Sequence, residues 1–425
     1  MPDPRLTRRR FLASTSAAAA GAALAGPVLA AEAAKPAEPD PIHVAILGAG
    51  NHGRQLLRYC LKIPGVRFKA ACDIWPFSRT YATRLLAAYK QPVQAYEDYR
   101  EMLAKEKDLD AAIVATPDAF HADQTVACLE AGLHVYCEKE MHHTVAGARR
   151  IVQAARKADR LVQVGRQHRS NPRYHKALEY IDVKKALGRI VHVAGQWHGH
   201  GRVPYKWKEK YAIDEAVLKK YGYESMQAFR DWRWSKKFSA GPMANLGSHQ
   251  VDVFNWFLHA PPKSVFAAAG RDYYDFYDAC DNVACIYEWD YAWGGQTKTV
   301  RGNYDIVTMS EDEGFFEVFT GDEGGLTISE HADKGGLRRE RGSPQADWEK
   351  ELKGDGRSYP PIPYPGEPKP VHQYHLENFF DAVRGKAKLT CPAEVGFVAT
   401  VTALKANEAA EAGRRLDLAP DDFKV

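Results

Sequence analysis

Residues 44–53 read Val-Ala-Ile-Leu-Gly-Ala-Gly-Asn-His-Gly, and twenty residues after Gly53 stands Asp73. An apolar run, a glycine-rich turn and an acid at this distance constrain the chain more than anything else in it. Gly48 permits a tight turn after a strand. Gly50 lets backbone approach a pyrophosphate, and Gly53 lets the next helix pack close to the strand. The start of that helix, at Asn51 and His52, presents free N–H groups and a positive dipole end to phosphates. Asp73 is placed for both ribose hydroxyls, which favours NAD over NADP. A 2′-phosphate would meet its charge, although Arg79 nearby keeps NADP open.

From Ile42 to Val164 apolar runs alternate with segments of helical period. The runs lie at 42–47, 67–72, 111–115, 133–136 and 161–164, and the helical segments at 54–62, 77–89, 119–131 and 145–158. This grammar predicts a Rossmann-type, doubly wound parallel sheet over residues 42–166. Ligands of such sheets sit beyond the carboxyl ends of the strands. The candidates are therefore Gly48–Gly53, Asp73–Trp75, Thr116–His121, Glu138–Met141 and Arg166–Arg169.

After about residue 187 the pattern changes. Strand-like segments recur at 189–198, 263–269, 282–289, 296–303, 314–320 and 325–329, with glycine pairs at 294–295 and 324–325. These predict an α+β domain over 167–425 with a large, open, mostly antiparallel sheet. Helices are expected at 370–386 and 393–413. The free sheet face needs a cover, so a homodimer or homotetramer is expected.

Residues 1–33 read as a leader. Arg8-Arg9-Arg10-Phe11-Leu12 precedes the uncharged, alanine-rich stretch 13–31, which looks like a twin-arginine export signal with a cut near 30–33. A short amphipathic or disordered tail is the plainer reading. A membrane anchor is disfavoured, because alanine is weakly apolar and the run barely long enough. Residues 34–41 form a Pro/Ala linker. The reading predicts a periplasmic or otherwise extracytoplasmic protein, without a stable membrane anchor after cleavage. Its cofactor would be loaded before export and held tightly.

The formal charge is +4, and without residues 1–30, which hold four arginines and one aspartate, it falls near +1. That excludes an electrostatic case for nucleic acid or an anionic membrane. The seven cysteines contain no Cys-x-x-Cys, and no zinc-type ligand spacing occurs, so no metal ligand is assigned. Buried free thiols are expected, with a Cys280–Cys285 pair left open.

Four segments in order carry a resemblance. They are Gly48-Ala-Gly50 with Asp73, Ala115-Thr116-Pro117-Asp118-Ala119-Phe120-His121, Cys137-Glu138-Lys139, and Gly247-Ser248-His249-Gln250-Val251-Asp252. Together they resemble the Gfo/Idh/MocA oxidoreductases. The resemblance implies a nicotinamide domain joined to an open-sheet domain, with sugars or cyclitols as substrates. It adds Thr116, Pro117, His121, Glu138 and Lys139 to the cofactor residues, and makes Lys139 a contact of both substrate hydroxyl and nicotinamide ribose.

An ammonium there would stabilise alkoxide character as hydride leaves, with Glu138 to hold it. His249 suits proton abstraction near neutral pH. Lys139 and His249 are thus the expected catalytic pair. Two positions depart from the family pattern. Asn245 replaces an acid four residues before the histidine, where it would bind substrate or hold the ring. Glu140 replaces proline, and its charge would raise the pKa of Lys139. His142 and His143 either line the cleft or cap the next helix.

Trp197 at a strand end, and Tyr205, Trp207, Trp232 and Trp234 among Lys206, Lys208, Arg230 and Arg233, offer aromatic faces beside hydrogen-bonding groups. This suits a carbohydrate or polyol first, packing second and nucleic acid last. Arg169 is a further substrate-binding candidate. The resulting expectation is an NAD-dependent oxidoreductase acting on a sugar or polyol hydroxyl. The alternatives are an NAD-dependent, redox-neutral glycoside hydrolase and a non-catalytic sugar- or cofactor-binding protein.

Overall fold

The structure, a computed structural model, describes residues 39–199, 204–331 and 333–425. The expected leader therefore lies outside the described residues, as does most of the linker. No helix among the described residues is long and apolar enough to cross a membrane.

The first half runs β1 (Ile42–Leu47), α1 (Asn51–Cys60), β2 (Val66–Cys72), α2 (Pro76–Ala88), β3 (Gln94–Tyr96), α3 (Tyr99–Lys105), β4 (Ala111–Val114), α4 (Asp118–Glu130), β5 (His134–Cys137), α5 (Val145–Ala158) and β6 (Val162–Val164). Its strands pair in parallel in the order β3-β2-β1-β4-β5-β6. β4 is buried throughout, which is why it reads as an unbroken apolar run. The order reverses between β1 and β4, and the crevice at that switch point is where a ligand belongs.

The chain continues through α6 (Pro172–Asp182), β7 (Ile190–His198), α7 (Glu215–Lys220), α8 (Met226–Arg230) and α9 (Ser248–Phe257). It then forms β8 (Pro262–Gly270), β9 (Asn282–Trp293), β10 (Gln296–Val307), β11 (Phe315–Gly321), β12 (Gly324–Ile328), β13 (Gly336–Arg339) and β14 (Ser358–Tyr359), and closes with α10 (Val371–Val383), α11 (Ala393–Ala412) and β15 (Leu416–Asp417). Nine of these strands form the second sheet, ordered β14-β13-β12-β11-β7-β10-β9-β8-β15. It is antiparallel except where β7 and β10 run together. Along β9 buried and open positions alternate, so one face packs on α9 and α11 while the other stays open.

Two helices at the end of the chain return to the nucleotide fold. Leu376, Phe379 and Phe380 of α10 join the core of Val44, Ile46 and Leu56. Phe397 and Val401 of α11 join the core of Val114 and Val135, while Ala403, Ala406 and Ala409 enter the core under the second sheet. α11 is therefore buried nearly all round. All seven cysteines are free thiols, including Cys280 and Cys285.

Candidate active site

The glycine loop has the geometry its sequence demands. Gly48 has φ +88°, and a Cβ there would lie 2.6 Å from the Ala115 carbonyl oxygen. A Cβ on Gly53 would lie 1.9 Å from the Gly48 oxygen, whereas one on Gly50 would meet nothing within 4 Å. α1 starts at Asn51 with no side-chain cap on its first amides, leaving donors without intrahelical partners at the crevice. Asp73 accepts from the Ala49 N–H (2.8 Å) and the Trp75 N–H (2.7 Å). Each oxygen retains a lone pair for a further donor. Arg79 donates to the Asp73 carbonyl (2.6 Å).

Above the loop opens a cleft of about 1500 Å³ whose wall includes Gly48, Gly50, Asn51, His52, Asp73, Thr116, Pro117, Glu138 and Lys139. The second domain contributes Trp197, Tyr205, Trp232, Asn245 and His249 to the same wall. Arg230 lies over Trp75 (4.8 Å) and Tyr205 (5.3 Å), forming a cationic aromatic flank.

Lys139 follows β5, and its ammonium donates to the Asn245 carbonyl. Burial lowers its pKa, against the raising effect of Glu140, Glu138 and Asp118. Glu140 acts in the expected direction, but burial outweighs it. Glu140 itself turns away from the cleft: it is fully buried and pairs with Arg166 at 2.8 Å. Arg166 also donates to the Ser248 carbonyl and to Thr400, so this pair ties the β5 turn to α9 and α11. The Lys139–Glu140 peptide is cis.

Glu138 does not hold the Lys139 ammonium. Its carboxylate meets His52 Nε2 at 2.8 Å, and from Lys139 it accepts the backbone N–H (3.2 Å) rather than the ammonium. Burial opposes its ionisation, but the His52 charge and hydrogen bond outweigh that and bring its pKa down to about 2.

His249 sits in the first turn of α9, after the π-helical turn Met243–Gly247. Its ring stacks on Trp197 (6.0 Å) and lies 5.2 Å from His168, and Trp197 stacks in turn on Phe315 (4.3 Å). Burial, and then the charges of Lys139 and His168, hold its pKa well below the ordinary imidazole value. A neutral ring is the form a general base needs. Asn245 does not hold this ring, because its amide nitrogen donates to Ser239 Oγ and the Gly241 carbonyl. Its carbonyl instead positions Lys139.

Two expected contacts are corrected. Arg169 does not reach the cleft wall: its guanidinium forks onto both oxygens of Asp252 at 2.8 Å and lies over Trp256. His121 is a buried clasp, with one ring nitrogen on the Glu140 carbonyl (2.6 Å) and the other on the Thr116 carbonyl (2.7 Å). Two carbonyl acceptors require hydrogen on both nitrogens. Burial lowers its pKa, but Cys137, Asp118 and the Glu140 carbonyl push it up to about 9. His142 resolves as a helix-start residue, bonded to Thr144 Oγ1 and the Ala119 carbonyl.

Sequence reasoning missed His372, which lines the cleft opposite His52, and Glu330, which pairs with His168 at 3.0 Å. Glu330 follows β12 and His372 opens α10, far from any motif, so no local spacing marks either.

Residues 42–166 match a family model described as an oxidoreductase family with an NAD-binding Rossmann fold, and residues 215–325 match the GFO/IDH/MocA C-terminal domain. Inositol 2-dehydrogenase of Salmonella typhimurium strain LT2 is 27% identical over 226 residues, which is 53% of this chain and 56% of that protein. The match thus spans little more than half the length of that inositol 2-dehydrogenase. D-glucoside 3-dehydrogenase of Escherichia coli strain K12 is 23% identical over 394 residues, 89% of this chain and 98% of that protein. A levoglucosan dehydrogenase solved with NADH superposes with a TM-score of 0.70 at 17% identity, over 89% of this chain and all of that one.

Proposed function

The chain belongs to the Gfo/Idh/MocA oxidoreductase family, and from that premise we propose that it oxidises or reduces a sugar or polyol at the Lys139–His249 cleft. One observation carries the reading. Lys139 and His249 share a cleft wall with the glycine loop and Asp73, close enough for the lysine charge to depress the histidine.

The loop fits a nicotinamide dinucleotide. Open space at Gly50, the uncapped start of α1 and the free lone pairs of Asp73 suit a pyrophosphate and a ribose diol. NAD, when bound, supplies the hydride acceptor. The chain does the rest. Lys139, fixed by the Asn245 carbonyl, stabilises the carbinol oxygen as it gains negative charge. An imidazole nitrogen of His249 takes the hydroxyl proton. Trp197, Tyr205 and Trp232 set aromatic groups on the wall for the apolar side of a sugar ring, and Gln167 and Glu330 lie there as hydrogen-bonding groups. The names of the inositol, D-glucoside and levoglucosan dehydrogenases support a substrate of this class.

Export by the twin-arginine route belongs to the same proposal, supported by Arg8-Arg9 before the uncharged stretch 13–31. Cofactor loaded in the cytoplasm would then be retained and recycled, and NAD remains preferred to NADP because Asp73 opposes a 2′-phosphate.

The test is to purify the protein with its cofactor and add sugars and cyclitols singly while following reduced-nicotinamide absorbance. Reduction of the bound cofactor by a member of the panel supports the reading. Bound cofactor that no member reduces, and no keto-sugar reoxidises, overturns it. Cell fractionation of wild type and of Arg8→Lys/Arg9→Lys tests export separately.

A further inference from the structure

We propose that His52, Glu138 and His372 form a binding site for a divalent transition-metal ion of the zinc class on the wall of the cleft. The three come from distant parts of the chain. His52 is the second residue of α1, Glu138 follows β5, and His372 is the second residue of α10. Their ligand atoms nevertheless lie within 4.8 Å of one another.

The His52–Glu138 contact alone would be an ordinary ion pair at 2.8 Å. His372 is what such a pair does not require. Its ring stands edge-on to His52 at 5.1 Å, backed by Tyr59 stacked at 6.2 Å. Neither of its ring nitrogens has a hydrogen-bond partner among the described residues. A third donor thus faces the pair with nothing else to bind.

The carboxylate is seated as a ligand should be. Tyr136 donates to Glu138 Oε1 (3.4 Å) and the Lys139 N–H to Oε2 (3.2 Å). Gly165 makes room beneath, since a Cβ there would lie 2.6 Å from Oε2. Such outer contacts orient ligands and tune the ion. The Lys139 ammonium, whose charge also acts on Glu138, is turned to the Asn245 carbonyl instead.

Two imidazoles and one carboxylate suit a zinc-class ion better than Mg²⁺ or Ca²⁺, which favour all-oxygen shells. Bonds of about 2.0–2.2 Å place tetrahedral ligands about 3.4 Å apart. His52 and Glu138 stand closer than that, at 2.8 Å, so an ion between them would draw them slightly apart, while the partly exposed His372 ring closes on them from within 4.8 Å. The fourth position then faces the cleft, where water or another oxygen ligand completes the shell. Its ligands share the cleft wall with the glycine loop and Lys139, but the site needs no hydride transfer to be tested.

The experiment uses the full chain, as isolated and then chelator-treated. Zn²⁺ and Mg²⁺ are titrated by calorimetry into wild type, His372→Ala, His372→Gln and Glu138→Gln. NADH fluorescence on the same samples reports the cofactor site separately. The proposal expects one Zn²⁺ per chain, at least tenfold preference over Mg²⁺, and at least tenfold loss in each variant. Crystals of wild type soaked in Zn²⁺ should show an anomalous peak at the zinc edge between the three side chains. Absence of saturable Zn²⁺ binding overturns the proposal, as does wild-type affinity in both His372 variants or an anomalous peak elsewhere. The diffraction result decides the matter even if a variant fails to fold.

Discussion

The ammonium of Lys139 donates to the main-chain carbonyl of Asn245, four residues before His249 in the same run of helix. The contact joins the β5 edge of the nucleotide sheet to the helix that carries the proposed base. It explains how an asparagine can stand where an acid is usual: the backbone, not the side chain, does the positioning.

Replacement of Lys139 by methionine therefore has two expected effects. Turnover falls by about 10²–10³, the scale of losing one preorganised charge at a developing oxyanion. The acid limb of the pH–rate profile also moves. With Lys139 present, His249 stays neutral well below pH 6.5, so the rate holds as pH falls through the ordinary imidazole range. Without that charge the histidine pKa rises, and the limb shifts to higher pH. Steady-state rates of both proteins from pH 4 to 8 check this. An unmoved limb would separate Lys139 from His249.

Two glycines of one loop should behave in opposite ways. Gly53→Ala forces a methyl against the Gly48 carbonyl and should cost about 1–3 kcal/mol or more. Gly50→Ala adds a methyl to open space, so stability should change by no more than about 0.5 kcal/mol. NADH binding should nevertheless weaken at least tenfold, because that space is where a pyrophosphate would lie. Urea denaturation and fluorescence titration, run on both variants, read the two outcomes.

Glu140→Ala leaves the Arg166 guanidinium buried without its charge partner. A loss of about 3–5 kcal/mol is expected, the range for breaking a buried pair from one side. Glu140→Gln should lose less, since an amide oxygen still accepts from Arg166. If both variants unfold at the wild-type urea concentration, the pair does not hold the β5 turn to α9.

Phe266 and Ile286 stand directly opposite each other on β8 and β9, 43% and 52% exposed. They lie on the open face of the nine-stranded sheet, which the proposed dimer or tetramer would cover. Phe266→Glu with Ile286→Lys should shift the mass in light scattering to that of one chain. A wild-type protein that is already monomeric would refute the assembly.

Much of the fold was legible because its strands are either buried on both faces or alternate cleanly. β1, β4 and β9 announce themselves in this way. The three residues of β3 and the five of α8 are too short to show a period. Pattern also said that α10 and α11 bury a face, but not that their partners are Ile46 and Val135. At the site, Lys139, His249 and the glycine loop were readable because each sits in a local motif. Side-chain direction was not. Glu140 and Arg169 were expected near the cleft, yet each found an opposite charge, Arg166 or Asp252, in another element. His372 lies 320 positions from His52, beyond any spacing rule.

The return of α10 and α11 to the nucleotide fold has a consequence for how the protein is made. Synthesis delivers β1 to β6 first, but the core around Val44 and Val135 lacks Phe379, Phe380, Phe397 and Val401 until those residues leave the ribosome. The nucleotide domain is begun first and completed last, so apolar surface waits uncovered through most of translation. A chain stalled before residue 371 would carry every glycine and acid of the dinucleotide loop on an unfinished domain.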